Sequence, residues 1–142
     1  MYIHYGHKKF LKNKFNEIQN QDWIKPFGGL WASDENAEYG WKQWCEQENF
    51  RECNEDNCFR FELKKDTKVL HIRSVEDAKQ IITRTTDEYV SKCIDFEKLK
   101  AYGIDAIELH LSDDFELYWQ LYGWDCDSIL ILNKDVVKEV TV

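Results

Sequence analysis

Hydrophobic and polar residues alternate in several short segments of this chain, and the alternation predicts β-strands. The clearest case is residues 58–63, Cys-Phe-Arg-Phe-Glu-Leu, in which every second residue from Phe59 onward is apolar. Residues 128–132, Ser-Ile-Leu-Ile-Leu, are almost continuously apolar, as expected of a strand buried on both faces. The same patterns predict further strands at residues 2–5, 30–33, 69–72, 104–109 and 136–142.

Apolar residues at intervals of three and four predict helices. Residues 9–20 place Phe10, Leu11, Phe15 and Ile18 at helical spacing, which indicates an amphipathic helix. A second helix is expected over about 35–47, because Trp41, Trp44 and Cys45 then share one face with Ala37, and Ser33 or Asp34 offers an N-cap.

Three further helical segments are predicted in the middle of the chain. Ser74 and Asp77 form a capping signature for a helix ending near residue 83. Residues 87–93 and 96–101 suit short helices, and residues 115–121 fit helix and strand equally well. Helices early and strands late predict an α+β fold, a compact single domain of residues 1–142 with mixed or antiparallel sheets and N-terminal helices.

Residues 23–27 are expected to connect the first helix to the second strand. Pro26 favours extended backbone at Lys25, and Gly28 with Gly29 permits a tight turn or a close approach to a ligand.

Length and composition narrow the class of protein. A chain of 142 residues suits one domain, and a hydrophobic content of 43% argues against wholesale disorder. The formal net charge of −8 repels phosphate backbones, so direct nucleic-acid binding is not expected. That charge suits a protein partner with a basic surface, or serves solubility alone. The absence of an apolar run of about 20 residues and of a signal-like N-terminus predicts a cytoplasmic protein without a membrane span.

Five cysteines, at positions 45, 53, 58, 93 and 126, match no ligand pattern. Cys53 and Cys58 form a C-x4-C pair, but no second pair or histidine couple completes a zinc site. We therefore expect ordinary reduced cysteines and no metal site. A thiol or metal enzyme that uses Cys53, Cys58 and Cys126 is the least favoured alternative.

Three short stretches are candidates for chemistry, and each has a structural alternative. His4 ends a predicted strand before Gly6, where it could face a cleft or simply be hydrogen-bonded within a strand. Ser33 could bind a ligand ribose or cap a helix. Asp125 and Asp127 precede an apolar strand, and at i and i+2 on extended backbone they would point the same way; in a turn they would be unremarkable. A nucleophile elbow, a P-loop and a G-x-G-x-x-G are absent.

Taken in order, these stretches resemble the ADP-ribosyltransferase superfamily, in particular small members from phages and bacteria. In that family a first strand carries a His or Arg that holds NAD, a second strand carries a hydroxyl residue before a helix, and a late strand opens with one or two acids. His4, Ser33, and Asp125 with Asp127 follow that order. Residues 102–107, Tyr-Gly-Ile-Asp-Ala-Ile, resemble the family's GYDGI strand. Aspartate stands here where the family usually has glutamate.

The resemblance implies an ADP-ribosyltransferase-like fold and an NAD-dependent mono-ADP-ribosyltransferase that modifies a macromolecule, most simply a basic protein, in the host cytoplasm if the gene is carried by a phage. It implies that Asp127 stabilises the oxocarbenium-like ribose, with Asp125 next to it. The residues it assigns to NAD binding are His4, Tyr5, Gly6, Trp31, Ser33 and Tyr39. His4 and the acid pair should then face each other across one aromatic-walled hollow. The alternative is a non-enzymatic acidic inhibitor that blocks a basic host protein.

Overall fold

A computed structural model describes residues 1–21, 25–81, 83–84, 93–111, 116–117 and 124–141. Within these residues the strands are β1 (Tyr2–Tyr5), β2 (Leu30–Asp34), β3 (Cys58–Leu63), β4 (Val69–Ile72), β5 (Thr83–Arg84), β6 (Cys93–Ile94), β7 (Ala106–Leu109), β8 (Ser128–Ile131) and β9 (Val137–Val140). The α-helices are α1 (Trp41–Gln47), α2 (Val75–Lys79) and α3 (Phe96–Ala101). Single 3-10 turns lie at Lys12–Lys14, Glu55–Asn57 and Lys134–Val136.

Seven strands form one mixed sheet in the order β4-β7-β8-β2-β1-β3-β9, and β5 pairs with β6 separately. The β4–β7 pair is parallel, and the other neighbours in the large sheet are antiparallel. The prediction of an α+β domain with a mixed sheet is confirmed. The strands predicted at 2–5, 58–63 and 69–72 have the predicted bounds, and the others agree to within a few residues at either end.

The large sheet separates two sets of side chains, because neighbours along a strand point to opposite faces. One face, here called the Phe59 face, carries a cluster of Ala32, Phe59, Phe61, Ala106, Ile129, Ile131, Val136 and Val137. On the other, the Trp124 face, Leu130 and Ile107 pack with Trp124 and with residues of α2 and α3. Strand β2 shows the division directly, since Ala32 belongs to the first cluster and Trp31 packs against the second.

The helix predicted over residues 9–20 is wrong. The structure has only the turn at Lys12–Lys14, and Gln19 forms an isolated antiparallel bridge to Phe27. Phe10 packs against the Phe59 face, whereas Ile18 is buried in the cluster on the Trp124 face. Side chains directed to opposite faces of the sheet cannot share one helix face, so tertiary packing overrides the local pattern.

The predicted helix over 35–47 forms only from Trp41 onward. β2 continues to Asp34, which pairs with Tyr2, and the chain then turns before Gly40 serves as the N-cap. The Gln43 side chain accepts a hydrogen bond from the Gly40 N–H. The physical reason is that strand pairing with β1 holds residues 33–34 extended, so the helix cannot start there.

The remaining helical predictions have mixed outcomes. The helix after Ser74 begins as predicted, since the Ser74 side chain accepts a hydrogen bond from Asp77 N, but it ends at Lys79. The helix at 96–101 has its predicted bounds. Residues 87–93 fall outside the described residues except for Cys93, which opens β6, and of residues 115–121 only 116–117 are described, as helix. Of the connector 23–27, residues 23–24 are not described. None of the described helices combines the length and hydropathy needed to cross a bilayer.

Candidate functional site

Ser33 joins three elements through one buried hydroxyl. Its Oγ donates a hydrogen bond to the carbonyl oxygen of Asp127 at 2.8 Å and accepts one from Trp41 N at 2.8 Å. The side chain is 2% exposed. Ser33 is not the N-cap of α1, which is Gly40, but its hydroxyl bonds the first residue of that helix and also holds the segment before β8 against β2.

The carboxylates of Asp125 and Asp127 do not point into the same site. Asp127 Oδ1 accepts a hydrogen bond from Leu111 N at 2.7 Å, and Asp127 N donates one to the Tyr39 carbonyl at 3.0 Å. Asp125 Oδ2 lies 3.0 Å from Lys25 Nζ. The chain bends at residues 126 and 127, so the alternation of a straight strand does not apply there, and the two carboxylates line different cavities.

His4 is held as a neutral ring on the Phe59 face. Its Nδ1 donates to the Trp31 carbonyl at 2.7 Å, and its Nε2 lies 3.1 Å from His7 Nδ1. The ring packs between His7 and Phe59, with centroids 5.3 and 5.0 Å away. Burial lowers the pKa of His4 to about 4 in spite of the opposing hydrogen bond to Trp31. His4 lines a cavity of about 230 Å³ together with Phe10 and Phe59.

The aromatic hollow beside Asp125 is filled by protein. The Lys25 ammonium lies over the rings of Trp31 and Trp41, 5.5 and 5.9 Å from their centroids, and pairs with Asp125. Trp124 meets Trp31 edge-on at 4.8 Å. The remaining space is about 10 Å³, which holds a water at most. The expectation that His4 and the acids face each other here is corrected: His4 lies on the Phe59 face, and Asp125 lies beside Trp31 on the Trp124 face.

A large cavity lies between β1, β2 and α1. Its volume is about 640 Å³, within the range of small-molecule sites, and its lining includes Tyr5, Ser33, Trp41 and Arg60. We call this cavity the α1 groove. Burial raises the pKa of Tyr5 to about 12, so its hydroxyl stays protonated at neutral pH.

Charged residues form the rim of the α1 groove. The Arg60 guanidinium donates to Glu35 at 2.9 Å and binds Glu55 through two bonds of 2.8 Å. These bonds raise the pKa of Arg60, which therefore stays cationic. Asp34 and Asn36 line both the α1 groove and a neighbouring cavity of about 150 Å³ that contains Asp127. The α1 groove is therefore separated from the cavity of the Asp127 carboxylate only by the turn of chain that contains Asp34 and Asn36.

The glycines that the sequence indicated as ligand-binding or turn positions serve the packing of the protein itself. Gly6, at φ +122°, ends β1, and its N–H donates to the Asn57 carbonyl at 2.7 Å. Gly28 and Gly29 both have positive φ, and a Cβ at Gly28 would lie 2.3 Å from the Glu17 carbonyl oxygen. Because these two glycines have no side chain, neighbouring backbone and the Leu130 side chain can approach them closely. The sequence alone could not show whether the protein itself or a ligand makes that approach.

Tyr39 is 37% exposed, and its hydroxyl forms a hydrogen bond with the Gln47 side chain.

Among the cysteines whose side chains the structure describes, Cys45, Cys53, Cys58 and Cys126 are reduced and buried. Burial raises the pKa of Cys45 and of Cys126 to about 12. A protonated thiol is a weak nucleophile and a weak metal ligand, so these positions do not favour thiol chemistry.

One cluster was missed by sequence reasoning. His71 on β4, Glu108 on β7 and His110 just after β7 bring their side-chain nitrogens and oxygen within 4.8 Å of one another. The available signal was the Glu-x-His spacing, which places both side chains on one face of a strand, with a second histidine in another strand. The pairing of β4 with β7, which completes the cluster, could not be read from the sequence.

Comparison with known protein families, with curated proteins and with solved structures finds no match.

Proposed function

We propose that this protein is an NAD-dependent mono-ADP-ribosyltransferase with an ADP-ribosyltransferase-like fold. The observation that carries the proposal is the hydrogen bond from Ser33 to the Asp127 carbonyl, which brings the hydroxyl residue of β2 beside the acids that precede β8. β8, β2 and β1 are also neighbours in the large sheet, so the three stretches that resemble the family lie on adjacent strands.

NAD is proposed to bind in the α1 groove. Tyr5 and Ser33 reach this groove from β1 and β2, and Trp41 supplies an aromatic surface for nicotinamide. Tyr5 takes the place in β1 that sequence reasoning gave to His4, because both ring nitrogens of His4 are already engaged. Arg60 on the rim offers a cation for the diphosphate, in exchange for its present carboxylate partners.

The proposed chemistry breaks the bond between nicotinamide and the ribose. Nicotinamide leaves with the bonding electrons, the ribose becomes oxocarbenium-like, and a nucleophile of the acceptor forms the new bond as it loses a proton. Asp127 is the proposed stabiliser of the positive charge. Among the described residues its carboxylate is hydrogen-bonded through Oδ1, to Leu111 N, which fixes its orientation. It lines the neighbouring cavity that shares Asp34 and Asn36 with the α1 groove, and the ribose next to nicotinamide is proposed to extend into that cavity.

The acceptor is proposed to be a protein with a basic surface, since a net charge of −8 attracts such a surface and repels nucleic acid.

Nicotinamide release from NAD and labelling of a host lysate with tagged NAD test the proposal together. We expect the wild-type protein to release nicotinamide and to label the lysate. Asp127→Asn, which keeps an acceptor for Leu111 N, should reduce each activity by about 100-fold or more. Asp56→Asn is the matched control, since Asp56 is exposed and lines neither cavity. An inactive wild type that also binds no NAD by calorimetry, or an undiminished Asp127→Asn, would overturn it.

A second candidate is an acidic protein that binds a basic partner without NAD, and one observation favours it. Trp41 and Trp44 stack at 5.1 Å, and Phe50 packs on both while remaining 55% exposed. Surface aromatics of this kind are frequent anchors of interfaces. Capture of a basic partner that Phe50→Ser weakens, with no heat of NAD binding, would select this candidate over the enzyme.

A further inference from the structure

We propose that His71, Glu108 and His110 bind one divalent transition-metal ion through His71 Nδ1, His110 Nε2 and a Glu108 carboxylate oxygen. This inference is independent of the transferase proposal.

The spacing of the three atoms fits a common ion. Glu108 Oε1 lies 3.2 Å from His71 Nδ1 and 3.0 Å from His110 Nε2, and the two imidazoles are nearly parallel, 24° apart, at a centroid separation of 5.7 Å. Ligand atoms about 2.0–2.1 Å from a tetrahedral zinc ion are about 3.3 Å from each other. The two distances to Glu108 match that separation, and the two nitrogens, which lie within 4.8 Å of each other, would approach one another on binding an ion.

The hydrogen bonds within the cluster are incomplete. His71 Nδ1 and His110 Nε2 are shielded from solvent, yet neither has a hydrogen-bond partner in the described part of the protein. Both nitrogens lie close to Glu108 Oε1, but they do not meet the carboxylate in hydrogen-bond geometry. Buried polar atoms without partners are unusual, and a bound cation would satisfy both nitrogens.

Glu108 is held for such a role. It is a buried carboxylate, 8% exposed, on a strand whose neighbours Ile107 and Leu109 are fully buried. Burial raises the pKa of the Tyr2 hydroxyl, and the nearby Glu108 carboxylate raises it further. Buried charges in proteins are usually paired or coordinate metals, so Glu108 suits a ligand role.

The site is open on one side. The cavity of about 150 Å³ that contains Asp127 also reaches Glu108 and His110, and Asp34 lines it as well. Two further carboxylates favour a cation by charge, and the cavity leaves room for water or a small ligand. Two histidines and one carboxylate with an open position are the ligand set of mononuclear zinc and non-haem iron sites.

Titration of the full chain, without an affinity tag and stripped of metal, with Zn²⁺ alone and with Co²⁺ alone tests the site. We expect one ion per chain by calorimetry and visible Co²⁺ bands without a thiolate charge-transfer band. His71→Gln, His110→Gln and Glu108→Gln should each weaken binding about 10-fold or more. His7→Gln, which changes a histidine outside the cluster, should bind as wild type does.

Thermal unfolding controls for variants that fold poorly. Saturating Zn²⁺ should raise the melting temperature of wild type and of His7→Gln, and should not raise that of a folded double variant, His71→Gln with His110→Gln. Wild type that binds neither ion, a thiolate band that shows cysteine ligands, or binding that persists in the double variant would each overturn the site.

Discussion

The Ser33 hydroxyl and the Asp127 carbonyl oxygen are joined by a hydrogen bond of 2.8 Å, although 94 residues separate them in the chain. The same hydroxyl accepts the N–H of Trp41, so one atom holds β2, the start of α1 and the segment before β8. The geometry of the α1 groove and the position of Asp127 are therefore coupled through this side chain.

Replacing Ser33 with alanine should destabilise the protein by about 1–3 kcal/mol, because it leaves the partly buried Asp127 carbonyl and Trp41 N–H without their partner. The midpoint of urea unfolding measures the loss. Ser128→Ala is the matched control, since the buried Ser128 hydroxyl donates only to the Cys126 carbonyl two residues away. Equal effects of the two variants would show that Ser33 does not hold the elements together.

Replacing Gly28 with alanine should cost about 3 kcal/mol or more. Its φ is +81°, which alone strains an alanine, and the new Cβ would lie 2.3 Å from the Glu17 carbonyl oxygen, which belongs to backbone. Gly103→Ala separates the two contributions. Gly103 has φ +92°, but the nearest atom to its Cβ, Lys68 Nζ, is 3.8 Å away, so that variant should lose only about 1–2 kcal/mol. If chemical denaturation gives the same loss for both, the clash at Gly28 is not real.

Stability should fall on acidification because of His4. Burial lowers its pKa to about 4, whereas in the unfolded chain the pKa is about 6.5, so between these values the unfolded state binds more protons. The unfolding free energy should therefore decrease as the pH falls from about 6.5 to about 4, by up to about 3 kcal/mol.

His4→Gln tests that assignment, since glutamine can still donate to the Trp31 carbonyl and has no proton to gain. The quantity to compare is the slope of unfolding free energy against pH in wild type and variant, because His7 and Arg51 also face His4, and the lowered pKa values of Glu55 and Asp135 add to the fall at lower pH. Identical slopes would mean that His4 is not the group responsible.

Cys45 and Cys126 should react slowly with iodoacetamide at neutral pH in the folded protein. The pKa of each thiol is raised to about 12, mainly by burial, and at Cys126 the neighbouring Asp125 and Asp127 contribute to that rise. Peptide mapping by mass spectrometry should show rapid modification of both only after denaturation. Fast native labelling of Cys126 would restore the thiol-enzyme alternative.

The strands were the most predictable part of the fold. The alternation at 58–63 and the apolar run at 128–132 follow from burial on the faces of a sheet, because buried positions are occupied by apolar residues. The segment over 9–20 shows the limit of the same reasoning. Its helical spacing is real, but Phe10 and Ile18 pack on different faces of the sheet, and spacing carries no information about which face receives each residue.

The candidate site, too, could be predicted only in part from the sequence. The sequence alone identified the candidate residues near the ends of β1 and β2 and in the segment before β8, because hydroxyls, acids and glycines at strand ends are local features. Only the tertiary structure decided that Ser33 meets Asp127, that Lys25 fills the hollow beside Asp125, and that His71 joins Glu108 and His110. Each of these contacts joins segments that are far apart in the chain, and strand order and register, which set such contacts, depend on the packing of the whole sheet.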